Sequence, residues 1–419
     1  MKNKEFYSLR EFELSLEVDV KSRTNEFQKY IDQMEKFGCK SYWVMAHSGV
    51  GAKMTIEGFD GITSAYISND YLGMSQCQET IQAGIEALVK YGTGACAAQA
   101  IGGYLDIHQE LEQKIAAFTG QEDAILFSSG FGANTGLLRA ILGKNDIAYV
   151  DPYIHTSASS GLIGTNTKHI GHNDIEYLDM ILSKNAKEYK TRLVIIDGVY
   201  SQNGDLSKLP EYIEVCKKYG CLLMMDDAHG IGVMGKNGRG TAEHFNCLGQ
   251  VDIITGTFSK SFGCVGGFVA ASKKFIQYLR FYADSNVFSA AITPQVTASI
   301  LKAMELMKKR PEIREKLWDN VNYLRQKMKN EGFDIGVSES PIFPVMVRDN
   351  KKVYEISKEL QKRGIFVSGI VYPAVRTKEA RLRVSLLASH EKWQLDHLVD
   401  SLNEINDIIP FKPFKYGRE

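Results

Sequence analysis

The chain's 419 residues suffice for two or three domains with sizeable cores, and its fifty basic and fifty acidic residues cancel, so no net field marks a nucleic-acid or membrane surface. Seven scattered cysteines, with no C-x-x-C pair among them, speak against a disulfide framework and for a reducing, cytoplasmic setting. Met1–Phe6 has no apolar run behind it and no apolar stretch reaches the roughly 18 residues of a spanning helix, so neither a signal peptide nor a membrane span is expected. Peripheral contact at the inner membrane surface through Phe6, Phe12 and Leu16 stays open.

In chain order, residues 1–55 are polar and mixed and read as an N-terminal arm, with helical spacing over Glu26–Phe37. Gln76–Tyr91 reads as a helix with Ile81, Ile85, Leu88 and Val89 along one face. Gly92–Gly103 is a Gly/Ala run that permits close backbone approach. Asp106–Phe118 reads as a helix. Ala124–Asn134 passes from a strand through a small-residue turn into a helix reaching Leu142, so Ser129, Gly130 and Phe131 stand at a helix start where an anion can sit.

Ile147–His155, Thr191–Asp197, Cys221–Met225 and the run from Val251 read as buried strands, with a crossover helix at Pro210–Tyr219. This alternation predicts an α/β domain over 56–300 with a mainly parallel sheet, its ligand at the carboxyl ends of the strands. Gly230-Ile-Gly-Val-Met-Gly235 matches G-x-G-x-x-G, yet loop residues follow it, so a nucleotide reading is weak. Lys273–Ala283, Thr293–Lys309 and Pro311–Glu331 read as helices. Residues 301–419 read as a small α+β domain: strands at Pro341–Val347, Ile365–Val371 and Leu382–Leu387, and helices at Val353–Arg363 and Glu391–Ile409.

The chemistry gathers around Val251–Gly263. Lys260 follows a buried strand, a costly place for an amine without a task, and Thr257 and Ser259 offer hydroxyls beside it. An amine next to an anion seat suggests a Schiff base with pyridoxal 5'-phosphate (PLP). Asp226, ending an apolar strand, could keep the ring nitrogen protonated. His229 and Ser201 could address the ring hydroxyl, His155 could stack on the ring, and Arg383 could hold a substrate carboxylate bidentately. Each has a plainer reading: a lysine reaching solvent, structural histidines, a solvent-facing arginine on an edge strand. A metal set from His155, Asp197, Asp226, Asp227 and His229, and a lysine aldolase, compete less well.

Ser68-Asn-Asp-Tyr-Leu-Gly73, Ser129-Gly-Phe-Gly-Ala-Asn134, Asp226-Asp-Ala-His229, Gly256-Thr-Phe-Ser-Lys-Ser-Phe-Gly263 and Arg383-Val-Ser-Leu-Leu-Ala-Ser-His390, in this order, resemble the α-oxoamine synthases. These are fold-type I PLP enzymes that condense an amino acid with an acyl thioester. The resemblance covers roughly residues 40 to 410. It implies Lys260 as the Schiff-base lysine, Asp226 as the ring-nitrogen partner and His155 as the stacking group. It puts His229 and Ser201 at the ring hydroxyl, and Thr257, Ser259, Gly130 and Phe131 around the phosphate. It gives Arg383 the amino-acid carboxylate, lines the site with Asn69 and Tyr71, and implies a homodimer.

Within the family, Gly256-Thr-Phe-Ser-Lys-Ser, Gly266-Gly-Phe-Val-Ala and Gly103-Tyr-Leu-Asp-Ile-His108 look most like the branch that joins L-serine to a long-chain acyl-CoA such as palmitoyl-CoA. The branches that acylate glycine with an acetyl group or make 8-amino-7-oxononanoate usually carry Gly before the lysine. Those branches, an aminotransferase or lyase without thioester chemistry, and a non-catalytic partner subunit stand as alternatives. Gln99, Asp227, Gly230 and the turn Val371-Tyr-Pro-Ala-Val375 depart from the family pattern, which leaves the substrate pair open.

Overall fold

The computed structural model describes residues 7, 9–12, 18–38, 42–184 and 189–413. Phe6, Leu16 and Cys39 lie outside them. The chain divides into two compact units, one formed by Met1–Ser68 with Trp318–Glu419 and the other by Asn69–Leu317.

In the first unit, two short strands, β1 (Lys53–Met54) and β2 (Thr63–Ala65), pair antiparallel. The residues expected to form an arm contain a helix, Val20–Phe37. It is capped by the Asp19 carboxylate, which accepts from the Lys21 and Ser22 amides, and it is closed by left-handed Gly38. Phe12 packs edge-on against Phe27, with ring centroids 5.4 Å apart.

The second unit is built on a seven-stranded sheet. Its strands are β3 (Asp123–Phe127), β4 (Ile147–Val150), β5 (Asn166–His169), β6 (Arg192–Asp197), β7 (Leu222–Asp226), β8 (Ile253–Thr257) and β9 (Gly267–Ala271). Their order across the sheet is β3-β9-β8-β7-β6-β4-β5. β9 is antiparallel to both neighbours and every other pairing is parallel. The sheet is therefore mainly parallel, as expected, with one reversed strand. The Gly266-Gly-Phe-Val-Ala stretch proved to be that strand.

β4, β6, β7 and β8 are apolar and almost wholly buried, as strands covered on both faces must be. Helix Gly130–Ile141 sends Ala133, Leu137 and Leu138 into a core with Ile125, Val150, Ile195 and Met224. That packing points the start of this helix at the carboxyl ends of the parallel strands.

Two sequence expectations change in this unit. The strand expected to run to His155 ends at Val150, and His155 instead caps the short helix Thr156–Gly161. Helix Gln78–Tyr91 forms, but it buries Thr80, Gly84 and Ala87 and leaves Ile81, Ile85, Leu88 and Val89 exposed. Its small residues let helix Pro294–Lys309 approach closely: a Cβ at Gly84 would lie 2.8 Å from Ser299 Oγ. The apolar face expected to be buried thus points outward.

The C-terminal part of the first unit holds β10 (Ile342–Met346), β11 (Ile365–Phe366), β12 (Ser368–Ile370) and β13 (Arg381–Ser385). The single strand expected over Ile365–Val371 is two. β11 joins β2, whereas β12 joins the sheet β10-β13-β12. The closing helix, Lys392–Ile408, buries Leu395, Leu398, Leu402 and Ile405 at helical spacing.

Candidate active site

At the carboxyl ends of β4, β6, β7 and β8 lies a cavity of about 270 Å³. Ten of the residues singled out from the sequence line it: Ser129, Gly130, Phe131, His155, Ser201, Asp226, His229, Thr257, Ser259 and Lys260. They come from five separate strand ends and the turns that follow them, so only the sheet topology could gather them.

Lys260 stands three residues past β8 in a half-buried turn. The Thr257 and Ser259 hydroxyls are 2.8 Å apart, and Thr257 Oγ1 also donates to the Gly266 carbonyl at 3.0 Å. Opposite them, helix Gly130–Ile141 begins. Ser129 Oγ accepts the Gly132 amide at 2.9 Å, while the amides of Gly130 and Phe131 belong to the first turn, where a helix offers no internal acceptor. A Cβ at Gly130 would come within 2.9 Å of Thr257 Cβ. Glycine is what lets the helix start and the hydroxyls share one cradle, and the dipole there favours an anion.

Asp226 ends β7 and is 8% exposed. Its Oδ2 accepts from Asn134 Nδ2 at 2.6 Å and its Oδ1 from the Ala228 amide at 3.0 Å. The same Asn134 amide donates to Ser157 Oγ at 2.8 Å. Sequence reasoning missed Asn134 as a site residue. The available signal was a polar side chain on the face of an apolar helix otherwise filled by Ala133, Leu137 and Leu138.

Asp197, in register with Asp226 across the β6–β7 pair, also lines the cavity. Burial, reinforced by the charge of Asp226, pushes its pKa well above the usual carboxylate range. Asp197 Oδ1 accepts the His155 amide at 3.4 Å.

His155 Nδ1 lies 2.7 Å from Ser157 Oγ. Burial lowers its pKa, with Asp226 pulling it up and Lys260 pushing it down, which favours the neutral ring. His229 Nδ1 is 2.8 Å from the Tyr71 hydroxyl. Tyr71 is fully buried and Asn69 reaches its hydroxyl at 3.4 Å, so in this unit Tyr71 orients His229. Neither Asn69 nor Tyr71 lines the cavity.

Arg383 belongs to the other unit. There it sits on β13, the central strand of its sheet, 7% exposed, with Nη1 donating to Ser385 Oγ at 2.7 Å. The solvent-facing, edge-strand reading of this arginine is overturned. Gly230–Gly235 forms a turn followed by the one-turn helix Thr241–His244, not the long helix a dinucleotide motif opens. Among the described residues no group of three His, Cys, Asp or Glu side chains is placed to hold a metal. No helix among them is long and apolar enough to cross a membrane.

The donor set fits PLP. It supplies one amine, one buried carboxylate fixed by two donors, a neutral imidazole, and a cradle that a single Cβ at Gly130 would fill.

Comparison with known proteins agrees with this geometry. Residues 67–402 match the family model "Aminotransferase class I and II". The chain is 40% identical to a serine palmitoyltransferase of Sphingobacterium spiritivorum, over 89% of this chain and 93% of that protein. It is 37% identical to an 8-amino-7-oxononanoate synthase of Thermoanaerobacter pseudethanolicus, over 90% and 95% respectively. In structure it superposes on a lysine-to-alanine variant of the serine palmitoyltransferase of S. paucimobilis, solved with bound PLP–myriocin aldimine. The TM-score is 0.89 at 30% identity, covering 94% of this chain and 99% of that one.

Proposed function

The chain belongs to the class I and II aminotransferase family and, within it, to the PLP-dependent α-oxoamine synthases, and on that premise we propose that it condenses L-serine with a long-chain acyl-CoA, palmitoyl-CoA by preference. The products are a 3-ketosphinganine-type aminoketone, free CoA and CO2. The observation that carries the reading is the convergence of Lys260, Asp226 and the Gly130–Thr257 cradle on one cavity.

When bound, PLP supplies an electron sink that stabilises negative charge at the amino acid's α-carbon. Lys260 is the amine that would hold the cofactor covalently and, once the substrate's amine has displaced it, its freed Nζ would carry the α-proton. Asp226, steadied by Asn134 and the Ala228 amide, holds the proton of the ring nitrogen. Thr257, Ser259 and the amides of Gly130 and Phe131 bind the phosphate. His155 covers the ring face and donates to the thioester or carboxylate oxygen as charge moves. His229 and Ser201 address the ring oxygen. Arg383 takes the amino-acid carboxylate, which orients the bond to be broken, while Tyr71, with Asn69 at its hydroxyl, steadies His229.

Ser259 supports the serine branch over its relatives. Its hydroxyl extends the Thr257 cradle, an addition that glycine at this place cannot make. Identity does not separate the branches, since serine palmitoyltransferases and 8-amino-7-oxononanoate synthases both reach 40%. The exposed stripe of Ile81, Ile85, Leu88 and Val89 supports a homodimer in which a second copy covers it. The six described cysteines are unpaired, in keeping with a reducing cytoplasm.

A matrix of amino acids against acyl-CoA chain lengths, read as CoA thiol release, tests the substrate pair. L-serine with a C16 donor should give the highest kcat/KM. Preference for L-alanine with a pimeloyl donor would replace this reading by the oxononanoate one. Light scattering should give twice the chain mass.

A further inference from the structure

His172 is used by nothing in the chemistry above, yet both its ring nitrogens face buried carboxylates. Nδ1 lies 3.0 Å from each Asp151 oxygen and Nε2 lies 2.7 Å from Asp205 Oδ2. Asp151 is 0% and Asp205 4% exposed. A neutral imidazole has one N–H and one lone pair, so it can satisfy only one of two such acceptors; the arrangement calls for the imidazolium. Burial alone pulls the ring's pKa down, but the hydrogen bonds and charges of Asp151 and Asp205 outweigh it and carry it up to about 9. The rings of Tyr153 and Tyr200 meet it edge-on at 4.7 and 4.5 Å.

The two carboxylates anchor two different loops. Asp151 opens the turn after β4: its Oδ1 accepts the Tyr153 amide at 2.9 Å and its carbonyl accepts the Ile154 amide at 3.2 Å, one residue before His155. Asp205 closes the loop after β6: its carbonyl accepts the Tyr200 amide at 3.0 Å, Val199 bridges to Leu206, and Ser201 lies between. Asn173, next to His172, adds a bond from each side of its own turn. Its amide donates to Asp151 Oδ2 at 3.0 Å and its Nδ2 to the Leu206 carbonyl at 2.9 Å.

We propose that His172 is a positioning residue: as a cation clasped between Asp151 and Asp205 it ties the turn that presents His155 to the loop that presents Ser201, and so fixes two of the cofactor's contacts together. The inference rests on the PLP reading of the cavity. Proton loss from His172 leaves a lone pair facing a carboxylate and opens the clasp. The groups that face it are Asp151, Asp205, Tyr153 and Tyr200, with Tyr212, Asp174 and Asp197 acting from farther out on Tyr200 or Tyr212. Burial holds the Tyr200 and Tyr212 phenols well above their ordinary range, so neither titrates with the ring.

The test uses the PLP-loaded enzyme and two variants, His172→Gln and Asp205→Asn, followed by visible circular dichroism of the bound cofactor and by kcat/KM across pH. His172→Gln should keep its bound PLP but lose most of the dichroic band and about 100-fold in kcat/KM, the scale of a misplaced catalytic group. Asp205→Asn can donate to a neutral His172 while the ring still donates to Asp151. It should therefore keep the band and the rate at neutral pH, and hold them above the pH of about 9 where the wild type loses both. Unchanged dichroism and kinetics in His172→Gln would overturn the proposal. So would an Asp205→Asn band that fails at the same pH as the wild type, a comparison that stands even if His172→Gln does not fold. A wild-type protein that takes up no PLP would instead overturn the cofactor reading.

Discussion

Asn134 Nδ2 donates to Asp226 Oδ2 at 2.6 Å, joining a helix to a strand end 92 residues away. The helix whose first turn borders the cavity beside Thr257 therefore also fixes, one turn later, the carboxylate proposed for the ring nitrogen. Asn134→Ala should weaken PLP binding about tenfold and cost roughly 1–2 kcal/mol of stability, the usual cost of a lost buried donor to a charged acceptor. Equilibrium dialysis and urea unfolding measure the two effects. Unaltered PLP affinity would show that Asp226 needs no help from this amide.

Lys260 is the one lysine lining the cavity among the described residues. Lys260→Ala should abolish the visible absorbance band of covalently held PLP and all CoA release, while Lys260→Arg keeps a cation but no Schiff base. A band that survives the alanine substitution would assign the covalent bond to another amine.

Much of the parallel sheet was legible because β4, β6, β7 and β8 carry their own signal: short apolar runs that end in polar residues. β5 carries none, since Asn166-Thr-Lys-His169 is an exposed edge with nothing to bury. β9 was legible only as a motif, because five small or apolar residues do not say which way a strand runs. The face of helix Gln78–Tyr91 was misplaced for a different reason. Periodicity finds an apolar stripe, but Gly84 and Ala87 pack a neighbour by being small. Lys260 and Asp226 could be named because strand ends are where buried charge needs a task. Asn134 and His172 could not, because each owes its meaning to carboxylates distant in sequence.

Arg383 lies on a central strand with its guanidinium anchored on Ser385, so its geometry is set before any substrate arrives. Arg383→Lys should raise the amino-acid KM about as much as Arg383→Ala, on the order of 100-fold, because the planar fork rather than the charge is what grips a carboxylate. PLP affinity should hardly change in either. Full rescue by lysine would reduce the role to a point charge.

Two departures from the family pattern, Asp227 and Gly230, are one physical event. Asp227 is 1% exposed, and its carboxylate accepts the Thr241 amide at 2.8 Å and the Thr241 hydroxyl at 2.6 Å. Burial, only partly offset by those bonds, pushes its pKa up to about 7. A Cβ at Gly230 would lie 2.0 Å from Asp227 Oδ1 and 2.6 Å from Thr241 Oγ1, so a serine there would require the Asp227–Thr241 pair to move. Gly230→Ser alone should destabilise strongly. Asp227→Ala alone should cost less, because it removes the buried acid but strands the Thr241 donors. The double variant should recover part of the Gly230→Ser loss, since the alanine removes the nearest clash and leaves only the Thr241 hydroxyl, 2.6 Å from that Cβ, to rotate away. A double-mutant cycle by chemical unfolding measures the coupling, expected at about 1–3 kcal/mol for side chains in contact. Because a raised carboxylate pKa means that the folded state holds the extra proton, this group's contribution to stability falls as pH rises from the ordinary 3.8 through about 7. The same titration in Asp227→Ala should lack that slope, and strictly additive single effects would separate the two positions.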